Sequence, residues 1–173
     1  MPTSGTRPAT RPERARASRP AAPRLSLSVQ LAPDAGECPV DRSQLRRWAL
    51  AALSRDASIA LRFVGTREGR VLNREFRGRD YATNVLTFAY DGDAPGTPVR
   101  DVPVHADVVL CLPVLVREAR AQRKPLRAHL AHLVVHGLLH AQGMDHEDER
   151  EAARMEARER EVLRRFRIPD PYR

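Results

Sequence analysis

The histidines that could do chemistry are concentrated in one stretch, HLVVHGLLHAQGMDH, which begins at His132. In a helix, residues four apart lie on one face and are separated by about 6 Å along the axis. One adjacent pair, such as His136 and His140, can therefore direct both imidazoles at one metal ion. His132 and His140 are eight residues apart, or about 12 Å, which is too far for both to bind that ion.

The residues after the helix indicate which pair of histidines binds the metal ion. Gly143 follows His140 by three residues, where a glycine in the left-handed conformation commonly ends a helix, so that the chain can turn back and present His146. We predict that His136, His140 and His146 bind one Zn²⁺ ion with a water molecule in the fourth position. Three nitrogen ligands and an open position are typical of a catalytic zinc site.

The histidines allow two other interpretations. A histidine-rich amphipathic helix can be purely structural, and His129 and His132 are expected to be packing, supporting or surface residues. The spacing H-x3-H-x2-G-x2-H also occurs in metzincin proteases, where a glutamate after the first histidine is the general base. Here that residue is Gly137, and Met155 lies in a charge-rich, helix-like stretch. A peptidase is therefore a minor alternative.

Strand and helix patterns alternate along the rest of the chain, which predicts the elements that position these histidines. Strands are predicted at LSLSVQLA, SIALRFV, NVLTFAY and HADVVLCL, and helices at DRSQLRRWALAAL, TREGRVLNREF, PVLVREARAQ, PLRAHLAHLVVHGLLHAQ and EDEREAARMEAREREVLRRF. Asp41 is a candidate N-cap, Val71, Leu72 and Phe76 form the expected apolar face of the second helix, and Cys111 is expected to be buried. The pattern predicts an α/β fold with a small sheet and a helical layer.

Length and charge favour one basic domain. The chain has 173 residues, a net charge of +8 and a pI near 10.8, which makes a polyanionic partner plausible. More than half of that charge lies in residues 1–24, where six arginines accompany the single Glu13. We predict a disordered basic tail over residues 1–23 and a single domain over 24–173. With no secretory or membrane-spanning pattern, and no paired cysteine motif, a cytoplasmic location is expected.

Several motifs resemble the YbeY family of bacterial endoribonucleases. HGLLHAQGMDH is similar to the family signature H-G-x-L-H-x-x-G-x-D-H. Further family blocks are matched, in the same order, by LNREFRGRDYATNVLTF, ADVVLC and KPLRAHLAHLVVHG. The resemblance therefore covers about residues 25 to 170. Ala82, Ala106 and Met144 depart from the usual family residues, and none of these departures removes a proposed ligand.

This resemblance implies a single α/β domain with a small mixed sheet and a metal site at the end of the penultimate helix. It implies zinc held by His136, His140 and His146, and cleavage of single-stranded RNA in ribosomal RNA processing, including maturation of the 16S rRNA 3′ end, and in ribosome assembly and quality control. The implied partners are ribosomal RNA and the small ribosomal subunit, with no membrane partner. Arg77 matches the functional arginine of the family and is the candidate catalytic side chain beside the zinc-bound water.

The chemistry of these residues is consistent with that function. A zinc ion can lower the pKa of bound water from 15.7 to about 7 without a glutamate base, and a guanidinium can stabilise charge on phosphate oxygens. Aromatic residues are only 5% of the chain, so RNA binding is expected to depend on phosphate contacts. The alternative from another class is a metal-stabilised RNA-binding assembly factor, in which Asp145 or Cys111 would complete a structural zinc site.

Overall fold

Four strands and five helices make up the part of the chain that the computed structural model describes, residues 22–90, 102–144 and 148–173. In chain order the elements are β1 (Leu25–Leu31), α1 (Arg42–Ala52), β2 (Ala57–Val64), α2 (Thr66–Arg77), β3 (Val85–Ala89), β4 (Val104–Cys111), α3 (Leu112–Ala121), α4 (Leu126–Ala141) and α5 (Glu149–Arg164). All nine predicted elements are confirmed, with bounds within two residues of those expected. Most of the predicted tail lies outside the described residues.

The sheet is small and mixed, as expected. Its strand order is β1-β2-β4-β3, with β1, β2 and β4 parallel and β3 antiparallel to β4. The register pairs Leu61 with Val108 and Leu86 with Val109. Because side chains alternate between faces, neighbouring residues of β4 such as Val108 and Val109 belong to two different apolar clusters.

The larger cluster lies between one face of the sheet and helices α1, α4 and α5. It includes Trp48, Leu61, Val108, Val134 and Leu138, all fully buried. Helix α4 contacts β3, β4, α1, α3 and α5, so it is surrounded by protein and has buried residues on several sides. A central position explains why this helix is largely apolar and why its polar histidines require partners.

Helix α2 covers the opposite face of the sheet over the smaller cluster. Cys111 is buried there, as predicted. The predicted apolar face of α2 is wrong at Phe76, which is 62% exposed. Gly69 and Asn73 are the buried residues instead, because a Cβ at Gly69 would lie only 3.2 Å from the Cys111 sulfur, and the Asn73 amide donates a hydrogen bond to the Tyr81 carbonyl (2.8 Å).

Two predicted helix boundaries are confirmed. The Asp41 carboxylate accepts a hydrogen bond from the Gln44 amide (2.7 Å) at the start of α1. Gly143 has a φ of +83° and its amide donates to the His140 carbonyl (2.9 Å) just after α4 ends. In the described ranges, no helix combines the length and apolar character needed to cross a membrane. The cytoplasmic location stays a prediction.

Candidate metal centre

His136 and His140 lie one turn apart near the end of α4 and point their rings at each other. Their Nε2 atoms are 3.1 Å apart and their ring centroids 4.6 Å apart. Two nitrogens bound to one tetrahedral zinc ion, each at about 2.0–2.1 Å, lie roughly 3.3 Å from each other. The spacing of the pair therefore fits two ligands of a single ion, at the end of the penultimate helix where the site was expected.

Glu159 of α5 contacts the ring nitrogen of His136 that does not face His140. This carboxylate is fully buried, and its Oε1 lies 2.7 Å from Nδ1 of His136. To donate to a carboxylate, Nδ1 must carry a proton, and in the neutral ring this leaves the lone pair on the Nε2 that faces His140. A carboxylate that fixes the tautomer of a histidine in this way is the usual outer partner of a metal-binding imidazole.

The other oxygen of Glu159 has two further partners. Oε2 lies 3.3 Å from Nε2 of His132 and accepts a hydrogen bond from the Tyr172 hydroxyl. Burial by itself would raise the pKa of Glu159, but the hydrogen bonds from His132, His136 and Tyr172 outweigh it and lower the pKa to about 2. Burial, together with the bond to Glu159, raises the pKa of Tyr172. The Glu159 carboxylate is therefore ionised at neutral pH.

A second group of potential ligands overlaps the first. His132, His136 and Glu159 each offer one ligand atom, and these atoms lie within 4.8 Å of one another, so the group is a candidate metal site. It shares His136 with the predicted set. In the present arrangement the Glu159 oxygens are already occupied by three hydrogen bonds, some of which would be lost on binding an ion. The third predicted ligand, His146, lies outside the described residues.

Position 137, directly after His136, has no space for a side chain such as that of glutamate. A Cβ at this position would lie 2.7 Å from a methyl group of Val108 and 3.1 Å from the Thr87 hydroxyl oxygen. The Thr87 hydroxyl is also 3.4 Å from the Gly137 carbonyl, to which it donates. Helix α4 thus approaches the sheet too closely at this point for a side chain, and the general base of a metzincin has no space here.

A cleft of about 440 Å³ opens beside the histidines. It is lined by residues from the start of β3, from α4 and α5, and from the segments before β3 and after α5, including Asn84, Val85, His132, His136, Glu156 and Tyr172. The Asn84 amide donates to Glu118 (3.1 Å), and Glu118 in turn contacts Nε2 of the buried His129 at 2.8 Å. His129 therefore supports the wall of the cleft and does not point into the histidine pair.

Arg77 is the last residue of α2 and is exposed. Its neighbour Phe76 packs edge-on against Phe88 of β3 at a centroid distance of 4.7 Å. In β3, Thr87 comes directly before Phe88, and its side chain faces α4. Successive residues of a strand point to opposite faces, so the end of α2 and the histidines lie on opposite faces of this edge strand. Within the described part of the chain, the Arg77 guanidinium makes no ion pair and no hydrogen bond to the histidines.

Glu159 and Tyr172 were missed from the sequence. One signal for Glu159 was present: Met155, Glu159 and Val162 follow helical spacing, and all three are buried in α5, so a carboxylate occupies a position of the apolar stripe. A buried acid at such a position needs partners from other elements. No comparable signal marks Tyr172, which follows α5.

Comparisons with known proteins agree with this architecture. Residues 37–167 match the family model described as Endoribonuclease YbeY. The protein named Endoribonuclease YbeY from Methylibium petroleiphilum is 54% identical over 154 residues, which cover 89% of this chain and 98% of the relative. The protein of that name from Azoarcus sp. is 52% identical over 152 residues, and the match covers 87% of this chain but only 60% of the relative.

The fold is also similar to a solved structure. The solution structure of TM1509 from Thermotoga maritima has a TM-score of 0.51 and 22% sequence identity, and the match covers 85% of this chain and 99% of that chain. At this identity the likeness concerns the fold alone.

Proposed function

Because this chain belongs to the endoribonuclease YbeY family, we propose that it is a zinc-dependent endoribonuclease that cleaves single-stranded RNA. We place its activity in the processing of ribosomal RNA, including the 3′ end of 16S rRNA, and in assembly and quality control of the small ribosomal subunit in the cytoplasm. In this proposal residues 24–173 form the catalytic domain and residues 1–23 a basic arm. The observation that carries it is the His136–His140 pair held by buried Glu159.

We assign the ligands of one zinc ion to His136, His140 and His146. The 3.1 Å separation of the two Nε2 atoms supports this choice, as does the Glu159 contact, which in a neutral His136 ring puts the proton on Nδ1 and the lone pair on Nε2. Glu159 thereby orients one ligand and holds a proton at Nδ1, away from the ion. When bound, the ion supplies a Lewis acid for a phosphoryl oxygen and lowers the pKa of a water molecule.

We assign Arg77 to the RNA phosphate. Its exposed guanidinium is unpaired within the described residues and lies at the end of a helix that packs on edge strand β3, on the strand face opposite to the one that α4 covers. A planar guanidinium offers paired donors to two phosphate oxygens, which stabilises the charge that builds up as the phosphodiester bond breaks. The side chain therefore supplies charge stabilisation, and the histidine site supplies the reacting centre.

The alternatives have less support. The lack of space at Gly137 disfavours a peptidase that uses a glutamate base. A structural zinc site completed by Cys111 is also disfavoured, because that thiol packs against Gly69 on the sheet face opposite to α4. Asp145, the other candidate for a fourth ligand, lies outside the described residues.

Matched histidine variants test the proposal. We expect His140→Ala to lose both zinc and cleavage of a single-stranded RNA oligonucleotide, while His132→Ala retains most of its zinc. Metal content is measured by mass spectrometry and cleavage under single-turnover conditions, with a duplex of the same sequence as the uncleaved control. Equal cleavage by wild type and His140→Ala would contradict the proposed function. Loss of zinc from His132→Ala but not from His140→Ala would instead move the ion to His132, His136 and Glu159.

A further inference from the structure

The segment after α5, residues 165–173, returns to α4 and places Tyr172 between the two helices. The Lys124 ammonium donates to the Pro171 carbonyl, and the Tyr172 amide donates to the Asp170 carboxylate (3.0 Å). The Tyr172 ring lies edge-on to the ring of His132 at 5.5 Å, and the Arg160 guanidinium lies 5.6 Å from its centroid. Contacts on three sides therefore fix the direction of the Tyr172 hydroxyl.

That hydroxyl points at the carboxylate that holds His136. It donates to Oε2 of Glu159, whereas Oε1 accepts from Nδ1 of His136. Without the hydroxyl, the longer 3.3 Å contact with His132 is the one that Oε2 keeps among the described residues. A buried carboxylate that loses a donor rotates to recover one, and rotation would misalign the bond to His136.

We propose that Tyr172 is a positioning residue for the metal centre. By holding Oε2, it keeps Oε1 in line with Nδ1–H of His136 and so directs Nε2 of that ring toward the ion. Its ring braces His132 at the same time. The inference rests on the metal centre of the proposed function, but it does not depend on RNA being the substrate.

A purely structural role makes a different prediction. Tyr172 is 45% exposed, and Phe at this position would keep the ring contacts with His132 and Arg160 and remove only the hydroxyl. If the hydroxyl merely attached the segment to α5, its loss would lower the stability of the protein and leave metal affinity unchanged. Metal affinity, measured beside stability, therefore separates the two roles.

The experiment compares Tyr172→Phe with Tyr90→Phe in the full-length protein. Tyr90 is a suitable control because it is also exposed and its hydroxyl donates to a carboxylate, Asp107 (2.8 Å). Among the described residues, its one hydrogen bond to a histidine is from its amide to the carbonyl of His105 in β4, outside the histidine pair. Zn²⁺ affinity is measured by competition with a chromophoric chelator, and the visible spectrum of the Co²⁺-loaded protein reports ligand orientation. Loss of a direct partner of a metal-binding histidine lowers affinity about 10- to 100-fold. For Tyr172→Phe, one bond further away, we expect roughly 3- to 10-fold weaker zinc binding and an altered Co²⁺ spectrum.

The outcomes separate the two proposals. Tyr90→Phe should match wild type in affinity and spectrum. Equal zinc affinity and an unchanged Co²⁺ spectrum for wild type and Tyr172→Phe would overturn the role of Tyr172 while leaving the proposed function intact. A wild-type protein that binds no zinc would overturn both.

Discussion

Replacing Glu159 by glutamine removes the charge at the centre of the histidine network while almost preserving its shape. The carboxylate accepts from His136 on one oxygen and from His132 and Tyr172 on the other. A glutamine amide has one oxygen and one NH₂ group, so one side of the network must lose its acceptor. We expect Glu159→Gln to be less stable than wild type and to bind zinc about 10-fold or more weakly.

The pKa of Glu159 sets the size of the stability loss. Its pKa is about 2 in the folded protein and 4.5 for an ordinary glutamate. Since one pKa unit corresponds to about 1.4 kcal/mol, the ionised carboxylate contributes about 3 kcal/mol to the free energy of unfolding at neutral pH. The folded-state value is the lower one, so this contribution is complete above pH 4.5 and is lost as the pH falls toward 2.

Urea unfolding of the metal-free proteins from pH 7 to pH 3 measures this contribution. The difference between wild type and Glu159→Gln should be about 3 kcal/mol at pH 7 and should shrink steadily below pH 4.5. Glu161→Gln is the control on the same helix, because Glu161 is exposed and paired with Arg158 and Arg165, and its loss should be much smaller. A difference for Glu159→Gln that stays constant with pH would refute the reasoning.

Three other predictions concern the phosphate contact, the helix packing and the tail. Arg77→Ala should keep zinc and fold but lower the single-turnover cleavage rate by about 10² to 10³, with partial recovery in Arg77→Lys; an unchanged rate at saturating RNA would remove Arg77 from the chemistry. Gly137→Ala should lower the free energy of unfolding by about 1–3 kcal/mol in urea, because its methyl group would meet Val108 at 2.7 Å, and unchanged stability would contradict this packing. Deleting residues 1–22 should reduce the slope of log affinity against log salt by roughly 0.7 for each lost phosphate contact, measured by fluorescence anisotropy with single-stranded RNA, and an identical slope would exclude the tail from binding.

The fold could be predicted from local patterns because most elements have clear periodicity and clear ends. The Asp41 cap and the Gly143 turn depend only on nearby residues, and both were found where expected. The wrong expectation for Phe76 has a tertiary cause. Helix α2 approaches β4 so closely that glycine and asparagine, not the large apolar residue, face the sheet.

In the candidate site, too, the features that depend on nearby residues could be predicted, and those that depend on tertiary packing could not. The approach of His136 to His140 follows from helical spacing alone, so the sequence was sufficient to predict it. Glu159 and Tyr172 reach His136 from α5 and from the segment beyond it, and their contacts depend on how α5 packs against α4. Long-range packing of this kind leaves only the indirect signal of an acidic residue in an apolar stripe.

Restoring metal to chelated protein tests the central claim most directly. Wild-type protein is stripped of metal, supplied with increasing fractions of one equivalent of Zn²⁺, and assayed for single-turnover cleavage of a single-stranded RNA oligonucleotide. We predict that the metal-free protein is inactive and that cleavage rises in proportion to bound zinc up to one ion per chain, with no recovery in His140→Ala. Cleavage by the metal-free protein at the rate of the zinc-loaded protein would contradict the account.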